Sequence, residues 1–220
     1  MATKSTASKM TEDKILGFYM DEVLEQEAYP KSVYKFCKNH KIKEEEFYAF
    51  FGSFEALKER VWHKFYENTI NVLHKNDEYT SFTNKEKLLS FYYTFFEVLT
   101  LNRSYVLYVL GEHVTMPDRV KELKSLRPKV KAFAKDLVEA GNEGKTLKIT
   151  KKNPQVFAEG AWFQFLFLLR FWVKDSSAGF EKTDMAIEKS VTTVFDVFDN
   201  TPLDSLLDFG KFLYKETVTK

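Results

Sequence analysis

Two groups of side chains in this sequence could bind something. The first is a run of charges: Lys31, Lys35, Lys38, Lys41 and Lys43, followed at once by Glu44, Glu45 and Glu46. Lysines spaced this way can meet phosphates. Three carboxylates in a row repel them, unless they serve a helix N-terminus, where the helix dipole favours negative charge. The second group is Gln164 and Arg170, set inside the apolar stretch Ala161–Val173. A charge in such a setting needs a partner, either a carboxylate of a neighbouring helix or the acidic head of a ligand. Covalent chemistry is not indicated. His40, His63, His74 and His113 have no ligand spacing with Cys37 or with each other, so neither a metal nor a cofactor is expected. The HExxH, GxSxG, phosphate-loop and dinucleotide fingerprints are missing. No two carboxylates pair in an apolar context that would suit general acid–base work. The residues predict a binding protein and not an enzyme.

The charged run lies on two short helical patterns with almost nothing between them. Ser32 to His40 reads as one helix, Lys43 to Phe51 as the next, and Lys41-Ile42 as the joint. Val33, Phe36 and Cys37, then Ile42, then Phe47, Phe50 and Phe51 supply one buried face that bends at the joint. That pattern predicts a helix-turn-helix. Gly52-Ser53 stops the second helix, and Ser53 caps a third that starts at Phe54 and runs to about Lys75. A helix capped by Thr11 comes first, with Ile15, Leu16, Tyr19, Val23 and Leu24 inward. Residues 1–10 read as a disordered start. A bundle of roughly 60 residues is marginal by itself, so this one is expected to lean on the helices after residue 76.

Gln164 and Arg170 lie on a helix predicted from Asn153 to about Lys174, apolar nearly all round. Before it, the capping box Thr83–Glu86 opens a helix to about Leu101, and Ser104–His113 makes a shorter one. A helix entered at Thr115–Asp118 should be split or kinked at Pro128 and stopped at Gly141. Lys145–Lys152 is a basic loop. Glu181–Asp199 and Pro202–Glu216 close the chain. The reading is all-α, with residues 11–75 forming a small helix-turn-helix domain with its connecting helix and residues 76–220 a larger bundle. The totals agree: 8 Gly and 5 Pro leave little material for turns, and 22 Phe, 11 Tyr and 3 Trp make an aromatic interior. One cysteine fits a reducing, cytoplasmic setting. The net charge of +1 gives no global pull towards nucleic acid or membrane, and the apolar run Ala161–Val173 falls short of the roughly 20 residues that span a bilayer.

Within this frame the segment Phe47-Tyr48-Ala49-Phe50-Phe51-Gly52-Ser53-Phe54-Glu55-Ala56-Leu57 resembles the TetR family's Leu-Tyr, two variable residues, Phe, a small turn and Lys-Glu-x-Leu. Upstream, Phe36-Cys37-Lys38-Asn39-His40-Lys41-Ile42 falls on that family's Ile-Ala-x-x-Ala-Gly-Val. The resemblance implies a homodimer that binds double-stranded DNA through its N-terminal domain, with Ser32, Lys41, Lys43, Glu44, Glu45 and Tyr48 at the DNA. It implies a C-terminal pocket for a hydrophobic or lipid-like small molecule, for which Tyr92, Phe96, Leu99, Trp162, Phe165, Leu169 and Arg170 are the expected lining. It also implies that 153–174 and 181–199 pair with a second subunit, through Phe163, Phe167 and Phe171 on the first and Val194 and Phe198 on the second.

Three positions depart from the family pattern. Lys41 stands at the turn glycine, so a non-glycine residue would take any left-handed conformation there. His40 stands where the family packs a small alanine, and should widen the angle between the helices or point outward. Glu44, Glu45 and Glu46 open the second helix, whose first residues meet base edges in a helix-turn-helix. Glu can accept from cytosine N4, but three together oppose the electrostatic attraction that supplies most affinity. Phe54 replaces a lysine that contacts phosphate in the family, while Tyr48 is kept. Two functions therefore stay open: a DNA-binding regulator released by a hydrophobic ligand, and an accessory protein of the same fold that binds lipid or protein but no longer DNA.

Overall fold

The computed structural model describes residues 9–111, 123–143 and 152–200. Every element among them is helical: α1 (Glu12–Gln26), α2 (Val33–His40), α3 (Glu44–Tyr48), α4 (Phe54–His74), α5 (Asn84–Leu101), α6 (Arg103–Leu110), α7 (Arg127–Glu143), α8 (Pro154–Lys174) and α9 (Glu181–Asn200), with 3-10 turns at Asp77–Ser81 and Ala178–Phe180. The expected N-terminal tail (beyond Lys9 and Met10), His113, the cap at Thr115–Asp118, most of the basic loop and the helix Pro202–Glu216 lie outside the described residues.

Local chemistry sets the helix ends. The Thr11 hydroxyl accepts from Lys14 N at 3.3 Å, Ser32 from Lys35 N at 3.3 Å, and Ser53 from Ala56 N at 3.2 Å; each satisfies an amide that its helix leaves unpaired. Thr83 and Glu86 form the reciprocal pair: Thr83 N donates to Glu86 Oε2 at 2.7 Å and Glu86 N to Thr83 Oγ1 at 3.3 Å. Asn153 Oδ1 accepts from Gln155 N and Val156 N, with Pro154 in the first turn of α8, where a missing N–H costs nothing. Pro128 likewise sits in the first turn of α7, so the chain restarts there. α7 then runs through Gly141 to Glu143 instead of stopping. A Cβ at Gly141 would collide with the Asn84 side chain, whose Nδ2 donates to Leu137 O at 2.7 Å.

The helices cluster into two compact units. The first takes the described residues up to Lys75 together with the described residues of Thr94–Lys129. Its centre is aromatic. Phe36 of α2, Phe47 of α3 and Phe54 of α4 meet nearly edge to face, with centroids 5.6–5.9 Å apart, the geometry that ring quadrupoles favour. Tyr19 of α1 contacts Phe54 at 5.9 Å and Tyr105 of α6 at 6.4 Å. Ion pairs fasten α1 to α4: Arg60 reaches both Glu12 oxygens at 2.8 and 2.9 Å, and Lys64 meets Asp13 at 2.6 Å, while Arg60 also reaches Glu67, one of α4's own residues, at 2.6 Å. These bonds push the Arg60 guanidinium pKa further up.

The second unit takes Asn76–Tyr93 and the described residues from Val130 onward. Phe91 of α5 stacks on Phe133 of α7 at 4.4 Å, Lys131 pairs with Glu159, and Phe157 of α8 meets Phe195 of α9 at 5.5 Å. By length and composition α8 could cross a membrane, but half of its most apolar window is buried inside the fold, as in a core helix.

Candidate functional site

The α2–α3 pair is assembled around its joint. Ile42 N donates to Cys37 O at 3.0 Å and Lys41 N to Lys38 O at 3.4 Å, which closes α2 through a left-handed residue. That residue is Lys41, at φ 55° and ψ 38°. Ile42 is buried at the bend and Phe47 holds α3 to the core. α3 has only five helical residues, and turns carry the chain on, with Phe51 N donating to Phe47 O at 2.9 Å. Phe47 and Phe51 are buried but Phe50 is not. The expected inward position of Phe50 is thus corrected: only residues four apart on this short turn share the inner face.

His40 neither points outward nor stands alone. Its ring stacks on Phe18 at 4.8 Å and lies 4.8 Å from Phe36, and its Nε2 is 2.7 Å from Oε2 of the buried Glu22. Glu22 Oε1 also accepts from Asn39 Nδ2 at 3.5 Å. The larger side chain is accommodated by a carboxylate from α1. Glu22 stands between Tyr19 and Val23 on the inward side of α1, and a charge on an apolar helical face was the one sequence signal for this pair.

The three glutamates separate in role. Glu46 Oε2 accepts from Lys43 N at 2.9 Å, as a capping carboxylate does. Glu45 Oε1 pairs with Lys43 Nζ at 3.1 Å on the open surface. Glu44 is exposed. Burial raises the Cys37 thiol pKa, and the charges of Glu44 and Glu46 raise it further, so Cys37 is a packing residue and a poor nucleophile. Lys31, Lys35, Lys38, Lys41 and Lys43 are all exposed, and Tyr48 is 53% exposed. Ser32 caps α2. Phe54, at the family's lysine position, turns into the aromatic centre instead of outward.

The residues expected to line a pocket divide between the two units. Phe96 and Leu99 are buried on the part of α5 that belongs to the first. Tyr92, Trp162, Phe165 and Leu169 are buried in the second. The Tyr92 hydroxyl donates to Ala161 O at 2.9 Å and lies 3.4 Å from Gln164 Oε1; Gln164 Nε2 donates to Ser190 Oγ at 2.9 Å. Burial pushes the Tyr92 phenol pKa far up. Gln164 thereby finds its partners on α5 and α9, which spacing alone did not give. Arg170 departs from the others and is exposed. Phe163 and Phe167 are 67% and 53% exposed, and Phe171 is on the same open face. Val194 and Phe198 are half-buried on α9, with Phe198 against Phe157 at 4.9 Å.

Among the described residues no group of His, Cys, Asp and Glu could hold a metal ion. A comparison with curated proteins finds no match. Comparison with protein families finds the tetracyclin repressor-like C-terminal domain over residues 87–213, more than half of the chain. With an all-helical fold and that match across its C-terminal part, this chain belongs to the TetR family of regulators.

Proposed function

We propose that this chain is a homodimeric transcriptional regulator that binds duplex DNA through α2 and α3 and responds to a hydrophobic small molecule held in residues 76–220. The family match over 87–213 carries this reading. Residues 11–75 form its DNA-binding part. Ser32, Lys41, Lys43 and Tyr48 contact phosphates, and Glu44 and Glu45 face the groove. Phe163, Phe167 and Phe171, with Val194 and Phe198, form the subunit interface; exposed aromatic side chains on one helix face are a surface that a second copy would cover. Tyr92, Phe96, Leu99, Trp162, Phe165, Leu169 and Arg170 remain the residues assigned to ligand response. The test is duplex binding to the chain's own upstream DNA at low and moderate salt. The expected result is a specific shift whose affinity falls steeply with salt; no binding at low salt would sink the reading.

One observation favours a second reading. Glu44 and Glu45 stand exposed at the front of α3, where a groove lined by phosphate repels them. On that reading the chain keeps the family's fold as a lipid- or protein-binding accessory and has given up DNA. The same experiment separates the two.

A further inference from the structure

The open face of α8 changes character along its length. Phe163, Phe167, Arg170, Phe171 and Lys174 recur at helical spacing, so all five share one side. The side is aromatic at Phe163 and Phe167 and cationic at Arg170 and Lys174. At the cationic end a cleft of about 430 Å³ opens, lined by Phe167, Phe171, Arg170, Lys174, Asp175, Ser176 and, from the first turn of α9, Lys182. That volume falls in the range of small-molecule sites. Arg170, Lys174 and Lys182 make no ion pair with a carboxylate of the described residues. Asp175 is the cleft's own carboxylate, and it is engaged elsewhere. Its Oδ1 accepts from Ser177 N at 2.9 Å and Ser177 Oγ at 2.6 Å. Its Oδ2 accepts from Thr183 N at 2.9 Å and Thr183 Oγ1 at 2.6 Å.

Helix dipoles do not explain the cations. Lys174, in the last turn of α8, is well placed against the dipole, but Arg170 lies a turn earlier, and Lys182 sits where the N-terminus of α9 disfavours positive charge. An aromatic wall that runs into three cations set against one carboxylate, Asp175, has the shape of an amphiphile: tail on the rings, head on the net positive charge. We propose that this cleft binds an amphipathic anion, with its acidic head among Arg170, Lys174 and Lys182 and its apolar part held between Phe167 and Phe171 and the second subunit that the interface reading lays on them. The planar guanidinium of Arg170 suits a two-oxygen grip on carboxylate or phosphate. The inference deepens the small-molecule reading of residues 76–220, on which it rests. A second subunit laid on Phe163 and Phe167 would roof the cleft and strip water from its cations, which strengthens the demand for an anion there.

The experiment is calorimetric titration of the full chain with dodecanoate and dodecyl phosphate below their micellar concentrations and with 1-dodecanol below its solubility limit. It is repeated on the Arg170→Ala/Lys182→Ala double variant, whose substituted side chains are exposed. The proposal expects one anion per chain, dodecanol at least tenfold weaker, and at least a tenfold loss for the anions alone in the variant. The ratio of dodecanoate to dodecyl phosphate identifies the head group. Dodecanol binding as tightly as dodecanoate, or anions indifferent to the double variant, would overturn the cleft while leaving a ligand-binding domain. Binding of none of the three would remove both. A diazirine-bearing dodecanoate on the unaltered chain gives an independent reading: labelling within 163–182 supports the cleft, and labelling confined to other segments refutes it.

Discussion

Glu22 Oε2 and His40 Nε2 lie 2.7 Å apart, with the carboxylate side chain 5% exposed and the imidazole 18%. This contact joins α1 to the last turn of α2 and so sets the helix that leads into the turn. Removing His40 leaves a buried carboxylate with only the Asn39 amide, and removing Glu22 leaves a part-buried imidazole without its partner; either change costs more than the pair contributes when intact. Glu22→Ala is expected to lower stability by about 2–4 kcal/mol, measured by urea unfolding. A double-mutant cycle with His40→Ala should give a coupling of about 1–3 kcal/mol. A coupling within error of zero would mean that the two side chains merely adjoin.

Lys41 carries the left-handed turn at φ 55°. An L-residue there is strained by about 1–2 kcal/mol, part of which glycine returns as extra freedom of the unfolded chain. Lys41→Gly should therefore raise stability by about 0.5–1 kcal/mol. Because Lys41 is also assigned to phosphate contact, the same variant should bind DNA more weakly. A variant both less stable and unchanged in DNA binding would contradict both assignments.

The buried face of the helix-turn-helix was legible because its signals are local. Phe47 and Phe51 stand four apart, as do Leu57 and Val61, Phe36 and Ile42 flank the turn, and capping residues mark most of the ends. The size of the N-terminal bundle predicts that it leans on later helices, and in the structure Tyr105 of α6 meets Tyr19 of α1. The partners of Gln164 and the burial of Glu22 were not legible. Each depends on a residue far along the chain, Tyr92 and Ser190 in one case and His40 in the other, and no periodicity encodes such pairings. The roles of the three glutamates were hidden for a related reason: a run of identical residues does not say which one bends back to its own backbone.

Tyr92, Gln164 and Ser190 link three helices through buried polar groups. Tyr92→Phe keeps the ring but deprives Ala161 O and Gln164 of a donor. An orphaned buried acceptor costs about 1–3 kcal/mol, so thermal unfolding should occur several degrees lower. A loss of less than about 0.5 kcal/mol would show that water replaces the hydroxyl.

Asp175 holds the entry to α9. Burial would raise its pKa, but the side-chain hydroxyls and backbone amides of Ser177 and Thr183 outweigh that and hold it at about 2, below the ordinary 3.8. Folding thus favours the ionised form. The contribution is complete above about pH 4 and disappears as pH falls through about 2. Asp175→Asn should melt below the unaltered chain at pH 6, and the gap should close as pH falls towards 2. A gap that stays constant with pH would assign the effect of the substitution to shape alone.

Glu46 and Glu44 are close neighbours with different duties, which allows DNA contact to be tested apart from stability. Glu46 accepts from Lys43 N, so Glu46→Ala removes a capping bond and should cost about 1 kcal/mol in stability. Glu44 is exposed at the front of α3 and, among the described residues, makes no ion pair that would hold the fold. Glu44→Lys should leave stability within about 0.5 kcal/mol. If α3 enters a groove, this charge reversal replaces a repulsion with a contact, and the log–log salt slope of DNA binding should steepen by about one phosphate. Affinity for a random duplex at low salt should rise by about tenfold or more. The measurement is fluorescence anisotropy with a random duplex across a salt series. Affinity that stays flat under Glu44→Lys and under Glu45→Lys would place the front of α3 away from DNA and leave the accessory reading as the one that fits this surface.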